Sequence, residues 1–151
     1  MLAKDIMTSE VITIGPEESI QKAASLMLEN KISGIPVVDD KCCLLGIISE
    51  NDLMLKAREL QVPFFLTLFD SIIFLENPIR FNNDIKKFTA SQVKDAMTKK
   101  TLFVEENTPV HEIVELMQNK RINRVPVLRK GKVIGIVSRN DILKTLVKND
   151  G

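Results

Sequence analysis

Two short stretches have the residue types and spacing to do chemistry: Ser49-Glu50-Asn51-Asp52 and Ser138-Arg139-Asn140-Asp141. A hydroxyl followed three residues later by a carboxylate suits the start of a helix. Free N–H groups and the positive end of the helix dipole gather there and favour a phosphate. The carboxylate, one turn in, can accept hydrogen bonds from both hydroxyls of a ribose. The same spacing makes a capping box, in which Ser and an acid at the third helical position satisfy orphan donors. Spacing alone does not separate the two roles.

Other chemistry is weaker. The single histidine, His111, aligns with Gln21 on a polar helix face and reads as a surface residue. One His with two adjacent Cys makes no zinc set, and no Gly-rich phosphate loop of the GxxxxGK type occurs. No Ser–His–Asp arrangement is argued for. The expectation is a protein that is not an enzyme, with no catalytic residue, no metal and no required cofactor. A vicinal disulfide between Cys42 and Cys43 would strain the backbone, so both read as reduced thiols in strand positions, consistent with a cytoplasmic location.

With 44% hydrophobic and 27% charged residues and a net charge of +1, the chain has the composition of a soluble protein. Nothing points to nucleic acid as a partner. The charge is uneven: residues 1–60 carry 6 basic against 10 acidic residues, and residues 93–151 carry 12 against 7. The C-terminal part is the better host for an anion. The apolar stretch from Val62 to Leu75 is broken by Pro63, Thr67, Asp70 and Ser71 and is shorter than the ~20 residues of a membrane helix. The start, Met-Leu-Ala-Lys-Asp, lacks the layout of a signal peptide.

The two Ser-x-x-Asp stretches belong to an internal repeat. At an offset of 90, Asp5, Met7 and Thr8 recur as Asp95, Met97 and Thr98; Leu26-Met27 recurs as Leu116-Met117, Ile32 as Ile122, and Pro36-Val37 as Pro126-Val127. At an offset of 89, Gly46-Ile47, Ser49 and Asn51-Asp52 return as Gly135-Ile136, Ser138 and Asn140-Asp141. Each copy predicts strand, helix, strand, strand, helix. The first strands are Val11–Ile14 and Leu102–Val104. Ser19 caps a helix with Ile20, Ala23, Ala24, Met27 and Leu28 on one face. Thr108 caps its counterpart, with Pro109 at the first helical position and Val110, Ile113, Val114 and Met117 as the stripe. Strands over Ile35–Val38 and Leu44–Ile48, and over Val125–Leu128 and Val133–Val137, lead to helices starting at Ser49 and Ser138. One ~50-residue copy is too small to bury a stable core. The expected architecture is therefore α/β (α+β): two pseudo-twofold-related β-α-β-β-α repeats packed sheet to sheet, with clefts between them.

Gly46-Ile47-Ile48-Ser49-Glu50-Asn51-Asp52 and Gly135-Ile136-Val137-Ser138-Arg139-Asn140-Asp141 resemble the signature that closes a CBS domain. The Met-Thr pairs and the Ile-Pro-Val-Val and Val-Pro-Val-Leu strands resemble that family too. The resemblance covers roughly residues 3–57 and 92–147. It implies a paired module that binds adenosine-containing ligands and reports their level, an adenine nucleotide (AMP, ADP or ATP) first among candidates that include S-adenosylmethionine and cyclic di-AMP. By that resemblance Asp52 and Asp141 take the ribose, and Ser49 and Ser138 contact ribose or phosphate. The residues before the Pro-Val strands, Ser33, Gly34 and Ile35 in one copy and Asn123, Arg124 and Val125 in the other, would line the clefts, with Thr13 beside them. Arg124 is placed to hold a phosphate where Gly34 offers no charge, with Lys120, Arg121 and Arg139 as helpers.

The predicted organisation is a first repeat over residues 1–57, a helical Phe-rich segment over 58–91 and a second repeat over 92–151. Six of the seven phenylalanines, Phe64, Phe65, Phe69, Phe74, Phe81 and Phe88, fall in the middle segment. That aromatic surface needs covering by the chain's own core or a twin subunit, in line with the dimers common in the family, or else docks a regulated protein partner. The alternative function is an oligomerisation scaffold with vestigial clefts that acts through this segment.

Overall fold

The computed structural model describes residues 1–59 and 91–148. The Phe-rich segment lies outside the described residues. The elements run α1 (Ala3–Ile6), α2 (Ile20–Asn30), β1 (Gly34–Val38), β2 (Leu44–Ser49), α3 (Glu50–Glu59), α4 (Val93–Ala96), β3 (Val104–Glu105), α5 (Val110–Lys120), β4 (Arg124–Arg129), β5 (Lys132–Ser138) and α6 (Arg139–Lys148). The mixed α/β pattern recurs as the repeat requires. The one-turn helices α1 and α4, which carry the recurring Asp5 and Asp95, are not signalled by any apolar period.

The compact units do not follow the repeats along the chain. Of the described residues, 14–37, 46–59 and 91–99 form one unit, built on the first repeat. Residues 1–13, 38–45 and 100–148 form the other, built on the second. The opening segment of each repeat thus serves the other repeat's unit.

In the second-repeat unit the sheet order is β3-β4-β5. β3 runs parallel to β4 through Val104↔Val127, and β4 antiparallel to β5 through Val125↔Val137 and Arg124↔Ser138. Thr8 extends the ladder beyond β5, exchanging backbone hydrogen bonds with Ile136 at 2.9 and 3.1 Å. Val104, Ile113, Met117, Val125, Val127 and Val137 form its core with Ala3. The first-repeat unit repeats this register: Ile14 bridges Val37 in parallel, β1 pairs with β2, and Thr98 exchanges hydrogen bonds with Ile47 at 3.0 and 2.9 Å. Its buried residues, Ile14, Ile20, Ala23, Met27, Ile35, Val37, Ile48 and Val93, stand at matching places.

Glycine is needed where the Thr strands dock. A Cβ on Gly46 would stand 2.6 Å from the Thr98 carbonyl oxygen, and one on Gly135 2.4 Å from Met7 Sδ. The recurring Gly and Met-Thr are therefore two halves of one contact within each unit.

Four local expectations are corrected. Val11–Ile14 makes only the isolated bridge at Ile14, not a strand. Leu28 is 59% exposed, so it leaves the buried face of α2. Ser19 does cap α2, accepting from Lys22 N–H at 3.0 Å, but α5 has Pro109 at its cap position and no side-chain cap. Thr108 Oγ1 instead accepts from Glu105 N–H at 3.1 Å, since the turn entering α5 takes that hydroxyl. Finally, Cys42 lies in the β1–β2 turn at φ 64° and Cys43 makes an isolated bridge to Lys132, so neither is in β2. Asp39 Oδ1 organises that turn, accepting from Lys41 and Cys43 N–H at 2.9 Å each.

Candidate functional site

Each unit ends its last strand on the serine of the Ser-x-x-Asp stretch and begins a helix on the next residue. In the second-repeat unit, Ser138 N–H and Oγ both donate to Asp141 Oδ2, at 2.8 and 2.9 Å, and Asp141 N–H reaches Ser138 Oγ at 3.3 Å. In the first-repeat unit, Ser49 and Asp52 repeat the pattern at 2.8, 3.0 and 3.3 Å. The capping box is formed in both, and it uses only one carboxylate oxygen.

The other oxygen distinguishes the units. Asp52 Oδ1 accepts from Thr98 Oγ1 at 3.3 Å. Thr8, the counterpart of Thr98, makes no such bond, and Asp141 Oδ1 accepts no hydrogen bond among the described residues. Asp141 is 9% exposed, yet no fully buried side-chain oxygen or nitrogen among the described residues lacks a partner. Its Oδ1 therefore reaches open space, as an acceptor for a small molecule must.

The loop before each Pro-Val strand is tied to the same helix start. Asn123 carbonyl oxygen accepts from Arg139 N–H at 2.9 Å, and Ser33 carbonyl oxygen from Glu50 N–H at 3.0 Å. Arg124, half-buried, is the direct cross-strand partner of Ser138. Asn123, Arg124, Ser138 and Asp141 are thus brought together within one unit, and Ser33, Gly34, Ser49 and Asp52 within the other. Ile35 and Val125 are 0% exposed. Their side chains fill the interior, so a ligand could meet only their backbone. Thr13, half-buried, belongs to the second-repeat unit, outside the unit that holds Ser49 and Asp52.

Charge sharpens the difference. The first turn of α3 carries Glu50 and Asp52, whereas α6 begins with Arg139 ahead of Asp141. Arg124 and Arg139 add positive charge to the dipole end of α6 and favour an anion there, whereas Glu50 at the start of α3 opposes one. Among the described residues no group of three or more His, Cys, Asp or Glu could hold a metal ion. His111 is exposed. No helix among the described residues is long and apolar enough to cross a membrane.

Sequence reasoning noted Thr8 and Thr98 as repeats without giving them a role at the site. Their recurrence at the offset of the Pro-Val strands was the available signal; the side-chain contact to the carboxylate was not.

Comparison with known proteins decides the family. The CBS domain model matches twice, over residues 3–59 and 93–148. This chain is a CBS domain pair. It is similar to an uncharacterised protein of Methanocaldococcus jannaschii, 31% identical over 155 residues that cover 97% of this chain and 92% of the relative. The structure of CBSX2 in complex with AMP is 27% identical, with a TM-score of 0.76, covering 99% of this chain and 98% of that one. The CBS domain pair of protein MJ0100, in complex with 5′-methylthioadenosine and S-adenosyl-L-methionine, is 25% identical, with a TM-score of 0.73 and the same coverages. The mixed α/β fold of this CBS pair matches theirs.

Proposed function

We propose that this CBS pair is a regulatory module that senses an adenosine-containing ligand, and that the second-repeat unit holds its phosphate-bearing form. Asp141 accepts the ribose hydroxyls, Ser138 orients that carboxylate, and Arg124 and Arg139 neutralise the phosphate. Asn123 shapes the loop that positions Arg139. Ser49 and Asp52, with Ser33 and Gly34, form the equivalent place in the first-repeat unit, suited to an adenosine ligand without a phosphate. The observation that carries this reading is the open Oδ1 of Asp141 beside a basic helix start. AMP, ADP, ATP and S-adenosylmethionine are the ligands to test.

The experiment is thermal unfolding of the full chain with each ligand, alongside Asp141→Ala and Asp52→Ala. A ligand at ~100 times its Kd adds about 2.7 kcal/mol, a shift of several degrees at this size. The shift should vanish in Asp141→Ala and survive in Asp52→Ala. A wild-type midpoint unmoved by every ligand sinks the reading.

A second reading, assembly, rests on α6. Leu143, Leu146 and Val147 are 51%, 61% and 75% exposed at helical spacing. A homodimer would cover that stripe, and sedimentation of Leu146→Glu against wild type tests it.

A further inference from the structure

The seventh phenylalanine stands apart from the Phe-rich segment. Phe103 directly precedes β3, and its ring is 49% exposed. Its neighbour Val104 packs in the core with Val125, Val127 and Val137. Side chains of an extended chain alternate between faces, so Phe103 points to the opposite face of the sheet. Arg124, Pro126, Ile136 and Ser138 share that face, since each alternates with a core valine in the paired register of β4 and β5.

The Val104↔Val127 register sets Phe103 beside Pro126. Arg124 is then the diagonal neighbour on the same face, with Ser138 as its cross-strand partner. An aromatic ring, a guanidinium and a hydroxyl on the capped carboxylate thus line up along one sheet face within one unit. The first repeat lacks the ring. Ile14 bridges Val37 as Val104 pairs with Val127, so Thr13 stands where Phe103 does.

We infer that Phe103 is the base-recognition residue of this CBS pair: its ring stacks on the purine of the ligand whose ribose Asp141 holds. The inference rests on the ligand reading above. A ring left half exposed forfeits burial that a flat base would supply, and any purine has the π-face to supply it. Thr13 offers no such platform, so base recognition separates the two repeats as charge does.

The test is isothermal titration of wild type, Phe103→Leu and Phe103→Thr with two probes, AMP and ribose 5-phosphate. Both variants should bind AMP roughly tenfold more weakly, the size of one base–aromatic stack, with Phe103→Thr the weaker. Ribose 5-phosphate, which has no base, should bind all three proteins alike. Wild type that binds AMP while the variants bind it equally well overturns the role of Phe103 and leaves the ligand reading standing. Equal weakening of both probes also overturns it, because the residue would then be shaping the fold. Wild type that binds neither probe overturns the ligand reading and this inference with it. Since Phe103 is half exposed, its replacement should leave the unliganded thermal midpoint within a few degrees.

Discussion

The two units share a backbone register and differ at the side chains around one carboxylate. In the first-repeat unit Asp52 is tied on both oxygens, by Ser49 and by Thr98. In the second-repeat unit Asp141 is tied on one, with Arg124 and Arg139 at the positions of Gly34 and Glu50. A fully partnered carboxylate beside an acid behaves as a structural cap. A carboxylate whose capping bonds use one oxygen keeps its capping role and leaves the other as an acceptor. Duplication thus lets the two copies differ at the second oxygen without losing the cap, because the capping bonds need only one of the two oxygens.

The sharpest way to test how alike the units are is at the glycines under the Thr strands. A Cβ on Gly46 meets the Thr98 carbonyl oxygen, part of a backbone that is itself hydrogen-bonded to Ile47. At Gly135 the nearest atoms are Met7 Sδ and Cγ, the end of a flexible side chain, with Thr8 oxygen at 3.1 Å. Gly46→Ala should therefore cost about 3 kcal/mol and Gly135→Ala about 1 kcal/mol by urea unfolding. Equal costs would show that the two docking contacts are equally rigid.

A smaller effect is expected at the threonines. Thr98→Val removes the hydrogen bond to Asp52 and should destabilise by about 0.5 kcal/mol, while Thr8→Val should change stability little. If the two variants behave alike, the distinction between the carboxylates fails. If Thr98→Val also creates AMP binding that depends on Asp52, it sharpens: the threonine was what kept that carboxylate occupied.

The smallest effect is on pH dependence, at two carboxylates of the second-repeat unit. The N–H groups of Cys43 and Lys41 hold the Asp39 carboxyl below its ordinary value, and the Arg129 guanidinium does the same to Glu106. A pKa lowered in the folded state gives stability above the unfolded value that is lost as pH falls through the folded one. Asp39→Asn and Glu106→Gln should each lower the thermal midpoint slightly near neutral pH, and the difference from wild type should close in acid. Both groups are at the surface, so solvent keeps the effect small.

Much of the site was legible in the sequence for local reasons. Ser49 with Asp52, and Ser138 with Asp141, announce helix starts because a capping box spans four residues and needs no distant partner. Val125, Val127 and Val137 announce a strand core by composition and alternation. The misplaced cap at Thr108 shows where local reading stops: a hydroxyl there had two backbone N–H partners within reach, and the turn to Glu105 won it. Phe103 falls inside the expected strand Leu102–Val104, and it is the burial of Val104 that puts Phe103 on the other face.

Taken alone, the sequence determined the repeat, its helices and main strands, the CBS resemblance and the residues at each helix start, since apolar period, capping and turn chemistry act over a few neighbours. Tertiary structure alone decided that residues 1–13 complete the second-repeat unit and residues 91–99 the first. It also decided that Thr98 reaches Asp52 while Asp141 Oδ1 accepts no hydrogen bond among the described residues. Those contacts join residues tens of positions apart through backbone hydrogen bonds, and backbone groups are the same at every position. Only the packed chain chooses which of them meet.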